Sequence, residues 1–411
     1  MSSGAQDLVE RYLTLGLRLG KHVDGLVDAY YGPPELAAAV EREEPRAAAD
    51  LAVDADELLA ELPSAGLGDA RAGWLGEQLR GLRVYAGVLA GERISYLDEI
   101  EGCYGVRPER MPEDAFAAMH SRLDELLPPG GALSERYEAW RAANAVPSER
   151  IVETMSAVLA LLRARTERIV ALPADEEFAL ELVTGEPWSA FNYYLGRRRS
   201  RIVVNTDLPF SGAEVVHLAA HEGYPGHHTE HAVKEELLID RQGHIEESLQ
   251  LVPTPHSLLS EGIAELGGEL LIDDALEEEV ERIVRSAGVR YDAAEAAAIR
   301  AAREPLGYVS RNAALAIHED GVAADEAQAY IERWALAPTE RAVRSIAFVT
   351  DPTWRAYVVT YTEGLRLARA YVGGDLDRFR RLLTEPVRVS ELRRAADSGA
   401  AEGDAAISSA P

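Results

Sequence analysis

Apolar residues recur at helical spacing along most of this 411-residue chain, and prolines and glycines interrupt the pattern at intervals. The longest stretch covers residues 148–172, where Ile151, Met155, Val158 and Leu162 fall on one broad face. Helices with such a stripe bury it in a shared core. The chain is therefore predicted to fold mainly into α-helices. The main predicted helices cover residues 50–62, 70–89, 112–127, 135–143, 148–172, 260–286, 293–302, 323–336, 339–349, 352–372 and 376–383.

The spacing changes to that of short strands between residues 178 and 205. Segments 178–183, 188–194 and 201–205 are rich in β-branched or aromatic residues, and glycine-containing turns separate them. We therefore expect a small antiparallel β-sheet inserted in an otherwise helical chain.

The charge balance excludes several kinds of partner. Lys and Arg number 42 against 70 Asp and Glu, a formal net charge of −28, whereas nucleic-acid binding depends on basic residues that displace counterions. No apolar run approaches the roughly 20 residues of a membrane span. The single cysteine, Cys103, has no internal disulfide partner, and the segment after Met1 lacks a basic start and an apolar core. We expect a cytoplasmic protein that binds neither nucleic acid nor membrane.

One segment concentrates side chains that bind metals. Five of the ten histidines lie between His217 and His231, together with Glu214, Glu222 and Glu230. Imidazole and carboxylate are the usual ligands of zinc in proteins, and His221-Glu222 opens like the metallopeptidase helix His-Glu-x-x-His. The segment therefore predicts a Zn²⁺ site.

The spacing of the second histidine requires an interrupted helix. Position 225 is proline, and on a regular helix His228 would share the face of His221 but lie about 10.5 Å along the axis, too far for one ion. Pro225 removes a backbone donor and Gly226 tolerates unusual φ, so together they can loop two residues out of the helix. His227 then takes the place of the fourth residue after His221. The insertion favours His227 over His228 as the second ligand.

Two other arrangements use the residues before His221. His217 and His221 are four residues apart on an uninterrupted helix, but a site built on that pair gives the Pro-Gly insertion no purpose. Glu214 and His217 match the Glu-x-x-His of helical di-iron proteins, which need two copies of that motif. The sequence contains no second copy.

A third ligand is predicted in the next helical segment. Leu259, Ile263 and Leu266 form its apolar stripe and place Glu261 near the helix start. Coupled to the upstream histidines, Glu261 is the predicted carboxylate ligand, and Glu265, one turn later, is predicted to lie just behind the ligands.

We therefore expect one helical zinc-peptidase-like domain over residues 1–394, with the sheet at about 178–205 and the metal-binding core at about 212–270. Residues 395–411 are small and polar and are predicted to form a disordered tail.

At these residues the chain resembles the gluzincins, zinc metallopeptidases with two histidine ligands from one helix and a glutamate from a later one. More closely, it resembles the bacterial family named domain of unknown function eight-eight-five. The motif of that family is His-Glu-x-x-Pro-Gly-His-His followed by Ser/Thr-Glu-Gly-x-Ala. Residues 221–228 read His-Glu-Gly-Tyr-Pro-Gly-His-His, and residues 260–264 read Ser-Glu-Gly-Ile-Ala.

The resemblance covers roughly residues 28–372. Residues 201–205 resemble the family's strand before the metal helix, and residues 311–321 its later helical segment. Residues 360–364, Thr-Tyr-Thr-Glu-Gly, resemble its Ser-Tyr-Lys-x-Gly element, although Thr362 replaces the lysine. This match implies that Tyr361 reaches the site. Aromatic residues that many relatives carry after Glu-Gly are replaced here by Ile263 and Leu266, so the pocket is expected to differ in shape.

The predicted function is zinc-dependent hydrolysis of peptide bonds, with oligopeptides as substrates. His221, His227 and Glu261 would leave the fourth zinc position to water, and Glu222 would act as the general base. The donor to the developing oxyanion is predicted to be Tyr361, with Tyr357 and Arg311 as alternatives. Asn192 and Asn205 are candidates for flanking an extended peptide.

Two rival functions remain open from the sequence. The same groups would hydrolyse a non-peptide amide or an ester. Alternatively, the metal would only stabilise a helical binding protein, in which case four protein ligands are expected, with His228 or His217 added to the other three.

Overall fold

The N-terminal half consists of helices and one short strand. The computed structural model describes residues 3–186 and 188–408, without the side chains of residues 274 and 399–408. The elements before the sheet are α1 (Ser3–Gly20), β1 (Val27–Tyr30), α2 (Pro34–Glu41), α3 (Ala48–Glu61), α4 (Asp69–Leu89), α5 (Tyr96–Tyr104), α6 (Glu113–Leu126), α7 (Leu133–Ala143) and α8 (Ser148–Thr166). The predicted helices of this half correspond to α3, α4, α6, α7 and α8, because each carries an apolar stripe, but α8 ends at Thr166, six residues before the predicted end at 172.

The sheet that follows α8 has three strands in the order β2-β4-β3. They are β2 (Glu177–Val183), β3 (Ala190–Gly196) and β4 (Arg199–Asn205). β3 and β4 form the expected antiparallel hairpin, whereas β2 runs parallel to β4. The sheet is therefore mixed, which corrects the expectation of purely antiparallel pairing. β4 takes the central place because its last residues, Ile202, Val203 and Val204, are all buried.

The segment after the sheet contains two short helices separated by a break, followed by a short strand and a longer helix. Its elements are α9 (Gly212–Leu218), a π-helical turn (Ala219–Gly223), α10 (His227–Lys234), a second π-helical turn (Glu235–Asp240), β5 (Leu249–Leu251) and α11 (Pro255–Leu271). β5 pairs antiparallel with β1. Val27 pairs with Leu251 and Ala29 with Gln250, so Asp28 is an extra residue in the ladder.

The C-terminal part is entirely helical over its described residues. It contains α12 (Asp274–Ser286), α13 (Ala293–Arg303), α14 (Gly307–Asp320), α15 (Ala324–Trp334), α16 (Thr339–Thr350), α17 (Val358–Val372), α18 (Leu376–Thr384) and α19 (Val389–Ser408). The single helix predicted over 260–286 is two helices that separate at Ile272 and Asp273. Residues 395–408 of the predicted disordered tail belong to α19, and residues 409–411 lie outside the described part. Among the described residues, no helix is long and apolar enough to cross a membrane.

Helices α11 and α17 cross with their backbones in contact. A Cβ added to Gly262 would lie 2.4 Å from the carbonyl oxygen of Gly364, and one added to Gly364 would lie 2.3 Å from the carbonyl oxygen of Leu258. Both positions therefore require glycine. The crossing brings Glu261 of α11 next to the tyrosines of α17. Around it lies the larger hydrophobic cluster, to which α1, α3, α4, α8 and α19 also contribute.

Candidate metal centre

The polypeptide leaves the helical path between His221 and His227. The Tyr224 amide donates to the carbonyl of Ala219, five residues back, and the Gly226 amide donates to that of Ala220, six residues back, at 3.0 Å. A regular α-helix would connect residues four apart, so two extra residues are accommodated here. Two residues are inserted, as predicted. The form of the insertion differs from the prediction, because His227 begins a new helix, α10, instead of continuing the preceding helical segment.

Gly226 is required by this path. A Cβ at this position would lie 1.8 Å from the carbonyl oxygen of His221 and 2.6 Å from that of Ala220. No side chain fits at such distances, so only glycine lets the chain turn back this tightly. The turn brings the imidazole of His227 against that of His221.

The three predicted ligands converge on one point. Nε2 of His221 and Nε2 of His227 are 3.2 Å apart. Oε2 of Glu261 lies 3.4 Å from the first nitrogen, and Oε1 of Glu261 lies 3.6 Å from the second. Ligands bound about 2.0–2.1 Å from one tetrahedral zinc ion are separated by roughly 3.3–3.4 Å. The donor atoms are therefore spaced as zinc requires.

The hydrogen bonding around the ligands leaves the inner atoms free for a metal. Oε2 of Glu261 is buried without a hydrogen-bond partner among the described residues. Burial by itself would raise the pKa of Glu261, but the nearby imidazoles of His221 and His227 hold that pKa far below the ordinary value. Burial lowers the pKa of His221, whereas Glu261 and the neighbouring carboxylates raise it, to about 10. The site is therefore a buried anionic group facing two imidazoles, which suits a divalent cation.

Outer groups orient each ligand. Nδ1 of His227 lies 3.1 Å from Oγ of Ser260, whose hydroxyl donates to Glu230 at 2.6 Å. Ser260 thus accepts from Nδ1 of His227 and leaves Nε2 of that ring as the metal-binding atom. Lys234 donates to the other oxygen of Glu230 at 2.6 Å. The chain His227–Ser260–Glu230–Lys234 fixes the ring through buried, charge-paired groups.

Two further residues lie against Glu261 and His221. The hydroxyl of Tyr357 donates to Oε1 of Glu261 at 2.6 Å. On the other side, Oε1 of Glu265 lies 3.5 Å from Nδ1 of His221, behind the ligands as the sequence predicts. Tyr357, one of the alternative oxyanion donors, is therefore engaged with a candidate metal ligand.

The competing histidines have other environments. His228 is fully buried, with Nδ1 2.8 Å from Oγ of Ser200 and Nε2 2.8 Å from Oε2 of Glu176. Both of its nitrogens are occupied, so it is not a ligand. His217, His221 and Glu265 also form a group close enough for a metal. That group uses Nδ1 of His221. Because the side chain of His217 is 47% exposed, this group is more open to solvent than the group formed by His221, His227 and Glu261.

Glu222 lies in the same cavity as the ligands. Its residue is 5% exposed, and burial raises the pKa of its carboxyl group. Its backbone carbonyl accepts a 2.6 Å hydrogen bond from Nδ2 of Asn192. The cavity, of about 240 Å³, is lined by Glu222, Asn192, Tyr361 and the three candidate ligands, among others.

The other predicted site residues, Tyr361, Arg311 and Asn205, lie in different environments. Tyr361 lines the cavity beside Tyr357, with ring centroids 5.7 Å apart. Arg311 instead pairs with Glu363 at 2.6 Å and does not line the cavity, which removes it as an oxyanion donor. Asn205 donates to the carbonyls of Glu186 and Trp188 and stabilises a loop.

Several cavity residues carried no signal in the sequence. The cavity is also lined by Asp28, Trp188, Phe191, His256, Asp351 and Trp354. Asp28 lies in β1, a strand of four residues, which is too short to show an alternating pattern. The remaining residues come from distant parts of the chain and meet only in the folded protein.

No family model matches the chain, and no curated protein matches it. Solved structures with a similar fold include a candidate lipoprotein from Colwellia psychrerythraea, with a TM-score of 0.52 and 14% identity over 86% of this chain and 67% of that one. Another is a candidate lipoprotein of unknown function from Shewanella oneidensis, with a TM-score of 0.46 and 14% identity over 87% and 75% of the two chains. At this identity, the Colwellia similarity shows the fold alone.

Proposed function

We propose that this protein is a zinc-dependent hydrolase that cleaves peptide bonds, with oligopeptides as substrates. The observation that carries the proposal is the convergence of His221, His227 and Glu261 beside the buried carboxylate of Glu222, in one cavity. A structural zinc would need a fourth protein ligand. His228 is committed to Ser200 and Glu176, so three ligands and an adjoining cavity favour a catalytic metal.

Different residues would bind the metal, transfer the proton and stabilise the oxyanion. His221, His227 and Glu261 would hold the ion, which when bound supplies a Lewis acid and lowers the pKa of water. Glu222 takes the proton of the attacking water and gives it to the leaving amine. Burial raises its pKa, and a raised pKa makes the carboxylate a stronger base for this exchange. Tyr361 donates to the oxygen on which charge develops.

The size of the cavity supports a second candidate function. Its volume of about 240 Å³ is smaller than the roughly 300–1,000 Å³ of most ligand pockets. A small non-peptide amide or an ester is therefore the alternative substrate. The same groups would carry out that hydrolysis.

The family and location follow as proposals from the same residues. We propose that the chain is related to family eight-eight-five, and the closeness of the residues of both motifs at the site supports this. We also propose a cytoplasmic protein, which is consistent with Cys103 being free and buried.

The test combines metal analysis with digestion of a peptide mixture. We expect purified protein to contain about one zinc ion per chain and to produce new peptides that mass spectrometry detects. Glu222→Gln should keep the metal and lose at least about 100-fold in rate. Glu278→Gln, an exposed change on α12, is the matched control. Cleavage by Glu222→Gln at the parent rate would refute the proposed base, and cleavage of small amides or esters but not peptides would select the alternative.

A further inference from the structure

The cavity beside the candidate metal centre contains acidic groups but no basic side chain. None of its lining residues in the described part of the chain is Lys or Arg. His231 and His256 line it, but burial lowers their pKa values to about 3 and about 4, so both are neutral at pH 7. With His221 and His227 bound to a metal, a substrate carboxylate or phosphate would find no cationic side chain in the described lining.

Asp28 is the cavity carboxylate without an assigned partner. It is the extra residue of β1, and such bulges redirect a side chain. Within residues 3–186 and 188–408, its carboxylate makes no hydrogen bond or ion pair. Burial raises its pKa to about 6, with His227 opposing the shift and Glu261 and Glu222 reinforcing it. Asp351, which also lines the cavity, differs in that its Oδ1 accepts from the amides of Thr353 and Trp354.

Asn192, which also lines the cavity, carries a second acceptor without a partner among the described residues. Its Nδ2 donates to the carbonyl of Glu222, which fixes the orientation of the amide. Oδ1 of Asn192 is then an acceptor, and it is buried without a partner in a residue that is 7% exposed. β1 and β3, which carry Asp28 and Asn192, lie against each other. Buried acceptors without partners are rare in folded proteins, and a ligand donor would satisfy this one.

We propose that the cavity binds its substrate through a protonated amine, held by the carboxylate of Asp28 and by Oδ1 of Asn192. An ammonium group has three donors and a positive charge, so it complements one carboxylate and one amide oxygen. The aromatic rings of Trp354 and Tyr357, also in the lining, would add attraction for a cation. This inference rests on the proposed function, because it names the substrate group that the hydrolase recognises.

The amine has two sources in a peptide, the N-terminus and a lysine side chain. Three peptides of otherwise equal sequence separate them: one with a free N-terminus and no lysine, one N-acetylated without lysine, and one N-acetylated with a lysine. Binding is measured by calorimetry on zinc-loaded Glu222→Gln, in which turnover is removed. We expect the N-acetylated peptide without lysine, which has no amine, to bind at least about tenfold more weakly than one of the two peptides that carry an amine.

The substitution Asp28→Asn in the same background should abolish that preference, whereas Asp50→Asn should preserve it. Asp50 is exposed in the first turn of α3, and its loss changes the net charge equally. Equal affinity for all three peptides would overturn the inference without any variant, so the test stands even if Asp28→Asn folds poorly. Retention of the preference in folded Asp28→Asn would also overturn it.

Cleavage by the wild-type protein separates the two proposals. If it cleaves blocked and free peptides alike, the proposed function stands and the amine site is wrong. If it cleaves no peptide but binds amines in a manner that depends on Asp28, the peptidase proposal fails and the amine site stands.

Discussion

The amide of Gly226 donates to the carbonyl of Ala220, and this hydrogen bond spans two residues more than an α-helix allows. The distance between His221 and His227 depends on it. Because the two extra residues are absorbed before α10 begins, imidazoles six positions apart in sequence meet with their Nε2 atoms 3.2 Å apart. A backbone feature therefore sets the geometry of the candidate metal centre.

The substitution Gly226→Ala should damage the centre more than the fold. The new Cβ would lie 1.8 Å from the carbonyl oxygen of His221, so the turn must open and the two rings must separate. We expect zinc affinity to fall by at least about 10–100-fold. Competition with a fluorescent chelator measures this, and circular dichroism checks that the helices remain. Gly68→Ala is the control, because no atom lies within 4 Å of its Cβ position. Unchanged affinity in Gly226→Ala would contradict the argument.

The substitution Tyr357→Phe should weaken metal binding. It removes the 2.6 Å hydrogen bond to Oε1 of Glu261 and leaves that oxygen without its donor. Loss of a group that orients a ligand typically costs about 10–100-fold in metal affinity. The zinc dissociation constant, measured in chelator buffers, checks this. A full complement of tightly held zinc in the variant would show that Tyr357 does not orient Glu261.

The substitution Tyr361→Phe should leave metal binding unchanged and lower the catalytic rate. Tyr361 lines the cavity, and in the described part of the chain its hydroxyl makes no hydrogen bond to a candidate ligand, so the metal content should stay at the parent level. If its hydroxyl donates to the developing oxyanion, kcat should fall by about 10²–10³-fold while KM changes little. Loss of zinc instead of kcat would mean that Tyr361 supports the site structurally.

Local features of the sequence predicted the central part of this site. The count of residues between His221 and His227, with Pro225 and Gly226 between them, is sufficient to require a two-residue insertion, because helical geometry is fixed. The helix carrying Glu261 likewise shows its apolar stripe in the sequence. Both inferences depend on spacing within one segment.

Features that depend on contacts between distant segments were not predictable in this way. Nothing near Asp28 in sequence indicates that β1 pairs with β5, more than 200 residues later. Tyr357 directly precedes α17 and Tyr361 lies in its first turn, and only the crossing of α11 and α17 makes Tyr357 a partner of Glu261. The parallel pairing of β2 with β4 depends on burial of β4, which strand periodicity does not reveal.

A buried carboxyl group behind the centre should make stability depend on pH. Glu247 is 2% exposed, and its Oε2 has no hydrogen-bond partner among the described residues. Burial raises its pKa from about 4.5 to about 8, with Lys234 opposing and the carboxylates of Glu246 and Glu230 reinforcing the shift. Between these two pH values the folded chain keeps a proton that the unfolded chain has lost. Its contribution to the free energy of unfolding is therefore fully present below about pH 4.5 and declines as the pH rises towards 8.

The substitution Glu247→Gln should remove that decline, because the amide stays neutral at every pH. We expect the melting temperatures of variant and parent to be similar at pH 5 and the variant to melt several degrees higher at pH 9, since an ionised buried carboxylate is costly. Scanning calorimetry at pH 5, 7 and 9 measures the difference. Glu278→Gln, on the exposed side of α12, should show no such trend. If the difference between Glu247→Gln and the parent is independent of pH, Glu247 is not held protonated in the folded chain.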